Sequence, residues 1–198
     1  MLNTNLYERF EKETISTVNR FEINKKDLNE LKISFKNKIV LITGAAGSIG
    51  SQFSKDIFKY NLKPKKIIFL DKDENLLTEL NRELLLIKNF SKITRRFICS
   101  DLTSINLDNI LSKEKVQLYL NFAAIKHVRS EESIESIKYM FNTNSINFLP
   151  SKLMNLKKIF SISTDKTVNP SSILGISKHL MEMNLNKYKN KNVFLSSV

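Results

Sequence analysis

Lys38-IVLITGAAGSIG-Ser51 is the stretch that decides the fold. Four β-formers, Ile39 to Ile42, run into Gly44, Gly47 and Gly50, and helix-compatible residues follow. A strand, a tight glycine turn and a helix start, in that order, cradle a pyrophosphate. The first glycine permits the sharp turn, the second lets backbone N–H groups approach the phosphates, and the third lets the helix pack on the strand. The helix start adds unpaired N–H donors and a positive dipole end. The next strand, Lys66-IIFL-Asp71, ends on an acid that can accept hydrogen bonds from an adenosine ribose, its plainer use being a turn residue. Asp71 repels a 2′-phosphate and so favours NAD, while the adjacent Lys72 keeps NADP open.

Outward from this turn, strand and helix patterns alternate. Strands are expected at 39–43, 66–70, 96–100, 117–123, 158–163 and 192–197. Helices are expected at 48–60, 73–89, about 107–113, over most of 131–156, and at about 172–190, with Lys63-Pro64 breaking the first. Apolar strands in such a βα alternation demand a parallel sheet covered on both faces. The expected fold is therefore α/β, a doubly wound parallel sheet with the ligand crevice at the strand C-termini. Residues 36–198 form that domain. Residues 1–35 read as a helical extension with apolar positions at Leu6, Phe10, Ile15, Val18 and Phe21, suited to packing or to a homo-oligomer contact.

A chain of 198 residues suits one domain plus a short extension. The single cysteine, Cys99, excludes an internal disulfide and fits a reducing cytoplasm. No apolar run is long enough for a membrane span, the N-terminus lacks a signal-peptide core, and no zinc-ligand spacing occurs, so a soluble, cytoplasmic, metal-free protein is expected. The formal charge of +12 comes from lysines scattered among asparagine and isoleucine rather than gathered into a stripe. Nucleic acid is therefore not the expected partner, although the charge favours approach of an anionic nucleotide.

Three further segments carry a family resemblance: Asn121-FAAIKH-Val128, Thr143-Asn144, and Ser161-ISTDKTVNPSSILGIS-Lys178. With the glycine turn they resemble the extended short-chain dehydrogenase/reductase superfamily, whose NAD(P)-binding domain is Rossmann-like. More narrowly they resemble its polysaccharide-biosynthesis branch, the CapD-type 4,6-dehydratases acting on UDP-N-acetylglucosamine. The resemblance runs from about residue 38 to the C-terminus and implies roles for individual residues. Gly44, Gly47, Ser48, Ile49 and Gly50 would hold the pyrophosphate of NAD or NADP, Asp71 the ribose, and Asp101 and Leu102 the adenine. Ala123, Ala124 and Lys126 would line the floor beside the nicotinamide ribose, with Asn144 steadying the site and Lys126 and His127 near the UDP-sugar. Ser163 or Thr164, Asp165, Lys166 and Lys178 match the catalytic group.

In such a reaction hydride leaves sugar C4, water is lost across C5 and C6, and hydride returns to C6. Lys166 suits the base if Lys178 and partial burial lower its pKa, and Asp165 suits the acid if burial keeps it protonated. The superfamily's usual tyrosine, four residues before the lysine, is here Leu174, so Lys178 or Lys166 would have to assist the hydride step. The plainer uses of these residues are a turn or cap at Ser163-Thr164-Asp165 and a solvated helix lysine at 178, and His179 reads as exposed. A 4-epimerase or reductase, or an NAD(P)-binding module without turnover, are the competing functions. The end at Val198, directly after the sixth strand, suggests the cofactor-binding part of something longer, with little or no turnover of its own.

Overall fold

The structure, a computed structural model, describes residues 22–88, 90–126, 132–188 and 194–197. The expected helices before residue 22, and His127, lie outside them. The strands are β1 (Ile39–Thr43), β2 (Lys66–Asp71), β3 (Thr94–Cys99), β4 (Leu118–Asn121), β5 (Lys158–Ser161) and β6 (Phe194–Ser197). The helices are α1 (Lys25–Phe35), α2 (Ser48–Lys59), α3 (Glu74–Leu85), α4 (Leu107–Glu114), α5 (Ile134–Phe141) and α6 (Ile173–Asn186).

All six strands are parallel, in the order β3-β2-β1-β4-β5-β6. The chain therefore works outward in one direction from β1 and then in the other from β4, and a crevice opens between these two strands at their C-terminal ends. Thr43 is level with both Leu70 and Asn121, so the segments leaving β1, β2 and β4 emerge side by side.

Alternation along each strand builds two cores. Val40, Ile42, Ile67 and Phe69 face one, with Phe35 of α1, Ile57 and Phe58 of α2, and Leu77, Leu80 and Leu84 of α3. Leu41, Ile68 and Leu70 face the other, with Ile110 and Leu111 of α4 and Met181 and Leu185 of α6. With both faces buried, the strands read as continuous apolar runs. Leu28 and Leu31 of α1 also pack on the first core, so the helix before residue 36 is continuous with the domain in packing.

Two expectations need correction. Among the described residues of 131–156, helix is confined to α5 and the π turn Asn142–Ile146 that prolongs it. Pro150 lacks a backbone donor and disfavours helical geometry at the residue before it, and Met154 takes a positive φ of 44°. The third strand begins at Thr94, not Arg96, because pairing to Lys66 and Ile67 extends it toward the N-terminus. Among the described residues no helix is long and apolar enough to cross a membrane.

Candidate coenzyme and active-site cleft

The cleft at the C-terminal end of the sheet has two lobes that share Gly44, Gly47, Phe122 and Ala124. Gly44 turns the chain with φ of +66°, a conformation that costs glycine little and other residues much. Gly47 is the N-cap of α2, and no side chain among the described residues caps that helix. The first-turn amides of α2 are thus left to an outside acceptor beside a positive helix end, which suits a pyrophosphate. Gly50 packs against the turn itself: a methyl group there would lie 2.1 Å from the Gly44 carbonyl oxygen.

The first lobe, about 220 Å³, is walled by Asp71, Lys72, Asp101, Leu102, Tyr139 and Thr143 among others. Asp71 accepts hydrogen bonds from the Ala46 amide at 2.9 Å and the Asp73 amide at 3.2 Å, which fixes its carboxylate at the mouth. Asp73 in turn caps α3 by accepting from the Leu76 amide at 2.9 Å. Asp101 accepts from the Thr103 amide at 2.8 Å and the Thr103 hydroxyl at 2.7 Å, and also from the Tyr139 hydroxyl. Burial alone would raise the Asp101 carboxyl, but the Tyr139 and Thr103 hydrogen bonds hold it below the usual carboxylate range. Thr143 Oγ1 is buried in this wall without a hydrogen-bond partner among the described residues. A buried hydroxyl of that kind is costly unless something from the cleft meets it.

Ala123, Ala124 and Lys126 lie along the floor, with Lys126 exposed at the edge of the second lobe. Asn144 lines neither lobe. It is fully buried in the π turn and clamps the floor from behind, accepting from the Ile125 amide at 2.9 Å and donating to the Ile125 carbonyl at 2.9 Å and to Ser177 Oγ at 3.0 Å. A second buried asparagine, Asn121, accepts from Thr43 Oγ1 at 2.7 Å and the Ala123 amide at 3.2 Å and donates to Ser161 Oγ at 2.9 Å. It ties the ends of β1, β4 and β5 together under the cleft.

The second lobe, about 680 Å³, brings Ser48, Ile49, Gly50 and Lys126 opposite Thr164, Lys166, Leu174 and Lys178. Lys178 is only 3% exposed and donates to the Ile162 carbonyl at 2.8 Å, so it is not a solvated helix lysine. Burial pushes its pKa down to about 8, against an opposing pull from Glu182 one helical turn on. Glu182 itself accepts from Ser163 Oγ at 2.5 Å. Thr164 caps the short turn Asp165–Thr167 through its Oγ1 while still forming part of the cleft wall.

The burial expected of the acid–base pair is not met. Asp165 is 91% exposed and lines neither lobe, and the Thr164 hydroxyl and the Lys166 ammonium hold its carboxyl below the usual range rather than keeping it protonated. Lys166 is 58% exposed, with its Nζ 3.8 Å from Asp165 Oδ1. The short turn sets both on the rim, where nothing among the described residues covers them. His179 is exposed, as expected.

Sequence reasoning assigned no role to Asn121, Tyr139 or Glu182. Asn121 has a legible signal, an amide side chain ending an apolar strand. Tyr139 and Glu182 have none, since their partners lie 38 and 19 residues away. As a whole the cleft fits a dinucleotide, because it offers an uncapped helix start, two glycines with no room for a side chain, and an orphaned hydroxyl.

Comparison with known proteins agrees with this geometry. The family model described as "Polysaccharide biosynthesis protein" matches residues 40–196. An uncharacterized membrane protein of Methanocaldococcus jannaschii is 37% identical over 79% of this chain and 46% of its own. A UDP-N-acetylglucosamine 4,6-dehydratase (inverting) of Campylobacter jejuni is 30% identical over 73% of this chain and 41% of its own. The chain thus spans less than half the length of these relatives. Among solved structures, a UDP-glucuronic acid 4-epimerase of Bacillus cereus in complex with UDP-glucuronic acid and NAD superimposes with a TM-score of 0.64 at 22% identity, covering 80% of this chain and 55% of that one, a likeness of fold. With the family model spanning most of its length, and the glycine turn, the floor residues Ala124 and Lys126, and Ser163, Thr164 and Lys166 meeting in one cleft, this chain belongs to the family described as polysaccharide biosynthesis protein.

Proposed function

We propose that this chain is the coenzyme-binding portion of a nucleotide-sugar 4,6-dehydratase, of the class acting on UDP-N-acetylglucosamine in the making of surface glycans. The observation that carries the reading is the second lobe, where the pyrophosphate turn faces the Thr164–Lys166 turn across a buried Lys178. Gly47, Ser48, Ile49 and Gly50 would hold the diphosphate, Asp71 the adenosine ribose, and Asp101 and Leu102 the adenine. NAD is the favoured coenzyme, because three carboxylates, Asp71, Asp73 and Asp101, stand at the mouth of the adenosine lobe.

When bound, the nicotinamide supplies a reversible hydride acceptor for the sugar. The chain's own part is to hold the substrate and move protons. Leu174 lines the lobe in the position of the usual tyrosine and can take no proton. Lys178, at about 8, is neutral often enough near neutral pH to accept one from the C4 hydroxyl. Lys166 and Asp165, at the rim, would act on C5 and C6 of the bound sugar.

The test has two arms. Calorimetry on the 198-residue chain should detect NAD binding; absence of heat with both NAD and NADP overturns the coenzyme assignment. The chain joined to the unmatched remainder of the Campylobacter jejuni dehydratase should then convert UDP-N-acetylglucosamine to a product one water lighter, with no net consumption of coenzyme. A C4 epimer of unchanged mass would instead establish the epimerase reading. Bound coenzyme without any product would leave a binding module, which Leu174 would then explain.

A further inference from the structure

Three side chains from three separate elements meet across the mouth of the adenosine lobe. Lys72 follows β2, Asp101 follows β3, and Tyr139 lies on α5. Lys72 Nζ donates to the Tyr139 hydroxyl at 3.1 Å and sits 5.0 Å from the centre of its ring. The same hydroxyl donates onward to Asp101 Oδ2. Asp101 is itself held by two bonds from Thr103, so the far end of the chain is anchored.

Among the described residues walling this lobe, Lys72 is the only cation, against Asp71, Asp73 and Asp101. Discrimination between the two nicotinamide coenzymes reduces to the reception of one phosphate on the adenosine ribose. A free lysine beside Asp71 would offset the carboxylates and receive that dianion. A lysine already hydrogen-bonded to a phenol and lying over its ring has its charge engaged and its reach shortened.

We propose that Tyr139 is a specificity-determining residue: by tying Lys72 to Asp101 across the adenosine mouth it withholds the lobe's one cation from a 2′-phosphate and so selects NAD over NADP. This rests on the coenzyme reading above. Tyr139 acts through Lys72 and need touch neither coenzyme. The hydroxyl is the operative atom, because it alone joins the two charged partners. The ring could remain as a wall without it.

The experiment measures NAD and NADP dissociation constants by calorimetry on the 198-residue chain, for wild type, Tyr139→Phe, Lys72→Gln and the double variant. Wild type should favour NAD by about tenfold or more. Tyr139→Phe should narrow that preference by about fivefold or more, chiefly through tighter NADP binding, with the gain shrinking as salt rises. Lys72→Gln placed on top of Tyr139→Phe should remove the gain, since the released lysine is its source. Circular dichroism checks folding, and Tyr139→Leu serves as a second release of Lys72 should the phenylalanine variant not fold. An unchanged preference in a folded variant, a gain that survives loss of Lys72, or a wild type that prefers NADP overturns the inference while leaving the coenzyme reading intact. Failure of wild type to bind either coenzyme overturns both.

Discussion

Gly50→Ala is expected to weaken coenzyme binding by about a hundredfold or more and to destabilise the fold, although it adds a single methyl group. That methyl would lie 2.1 Å from the Gly44 carbonyl oxygen, 3.0 Å from its carbonyl carbon and 3.1 Å from Ala45 Cα. All three obstacles are backbone, so no side chain can swing away. The turn must open instead, and Gly44 has little freedom to move, since the backbone of Phe122 and Ala123 stands within 2.7 Å of where its own Cβ would be. Strain at β1 therefore passes straight to the end of β4 and the cleft floor. Overpacking of this kind costs about 3 kcal/mol, or roughly 10 °C in Tm for a chain of this size. Displacing two amides from the phosphates loses two charge-assisted hydrogen bonds, enough to weaken NAD by about a hundredfold or more. Gly47→Ala is the contrast: its nearest contact is 3.4 Å from the Gly44 carbonyl oxygen, so stability should hold within about 1 kcal/mol while the methyl crowds the phosphate approach. Calorimetry and thermal melts on both variants check this. A Gly50→Ala protein with wild-type melting and NAD affinity would remove the turn from the site.

The contrast between those two glycines shows what was legible in the chain and what was not. Their spacing after a strand disclosed the turn, but only the approach of α2 to Gly44 shows that Gly50 is the one with no room. The parallel, doubly wound sheet followed from strand–helix alternation because apolar strands leave few ways to bury both faces, whereas the order of its strands comes from the pairing itself. The π turn was hidden, since most of 131–156 reads as helical. Pro150 marked a break in the sequence, but the clamp of Asn144 on Ile125 is a tertiary contact that spacing does not show. Lys178 was recognisable by motif, yet its burial was not, because a lysine between Ser177 and His179 looks the same whether solvated or enclosed. The reverse error occurred at Asp165 and Lys166. Their proposed chemistry needed a dry environment, and a four-residue motif carries no information on what will cover it. Tyr139 and Glu182 were silent because their significance rests wholly on distant partners.

Lys178→Met should reverse its effect on stability between pH 7 and pH 10 while removing turnover from the joined enzyme. Burial lowers the folded-state pKa of Lys178 to about 8, whereas an unfolded chain keeps the ordinary value of 10.5. At pH 7 both states carry the proton, and the folded state bears the full cost of enclosing a cation whose nearby counter-charge among the described residues is Glu182. As pH rises through 8 the folded state releases its proton first, and the unfolded state then binds more protons until about 10.5. Stability contributed by this group therefore increases with pH across that window, by about 3 kcal/mol in total. Methionine carries no proton and loses this component. It also leaves the Ile162 carbonyl without the lysine's hydrogen bond, at a cost of about 1–3 kcal/mol that does not depend on pH. At pH 7 the removed desolvation outweighs or matches that loss, so the variant should be as stable as wild type or more so. At pH 10 only the loss remains, and the variant should be less stable. Urea melts across this range would show the two stability curves crossing; parallel curves would mean that Lys178 is not buried as a cation. Turnover should meanwhile fall by about a thousandfold, because the group proposed to receive the C4 hydroxyl proton is gone. A stabilising substitution at neutral pH that abolishes chemistry is the signature of a lysine kept in the interior for its reactivity.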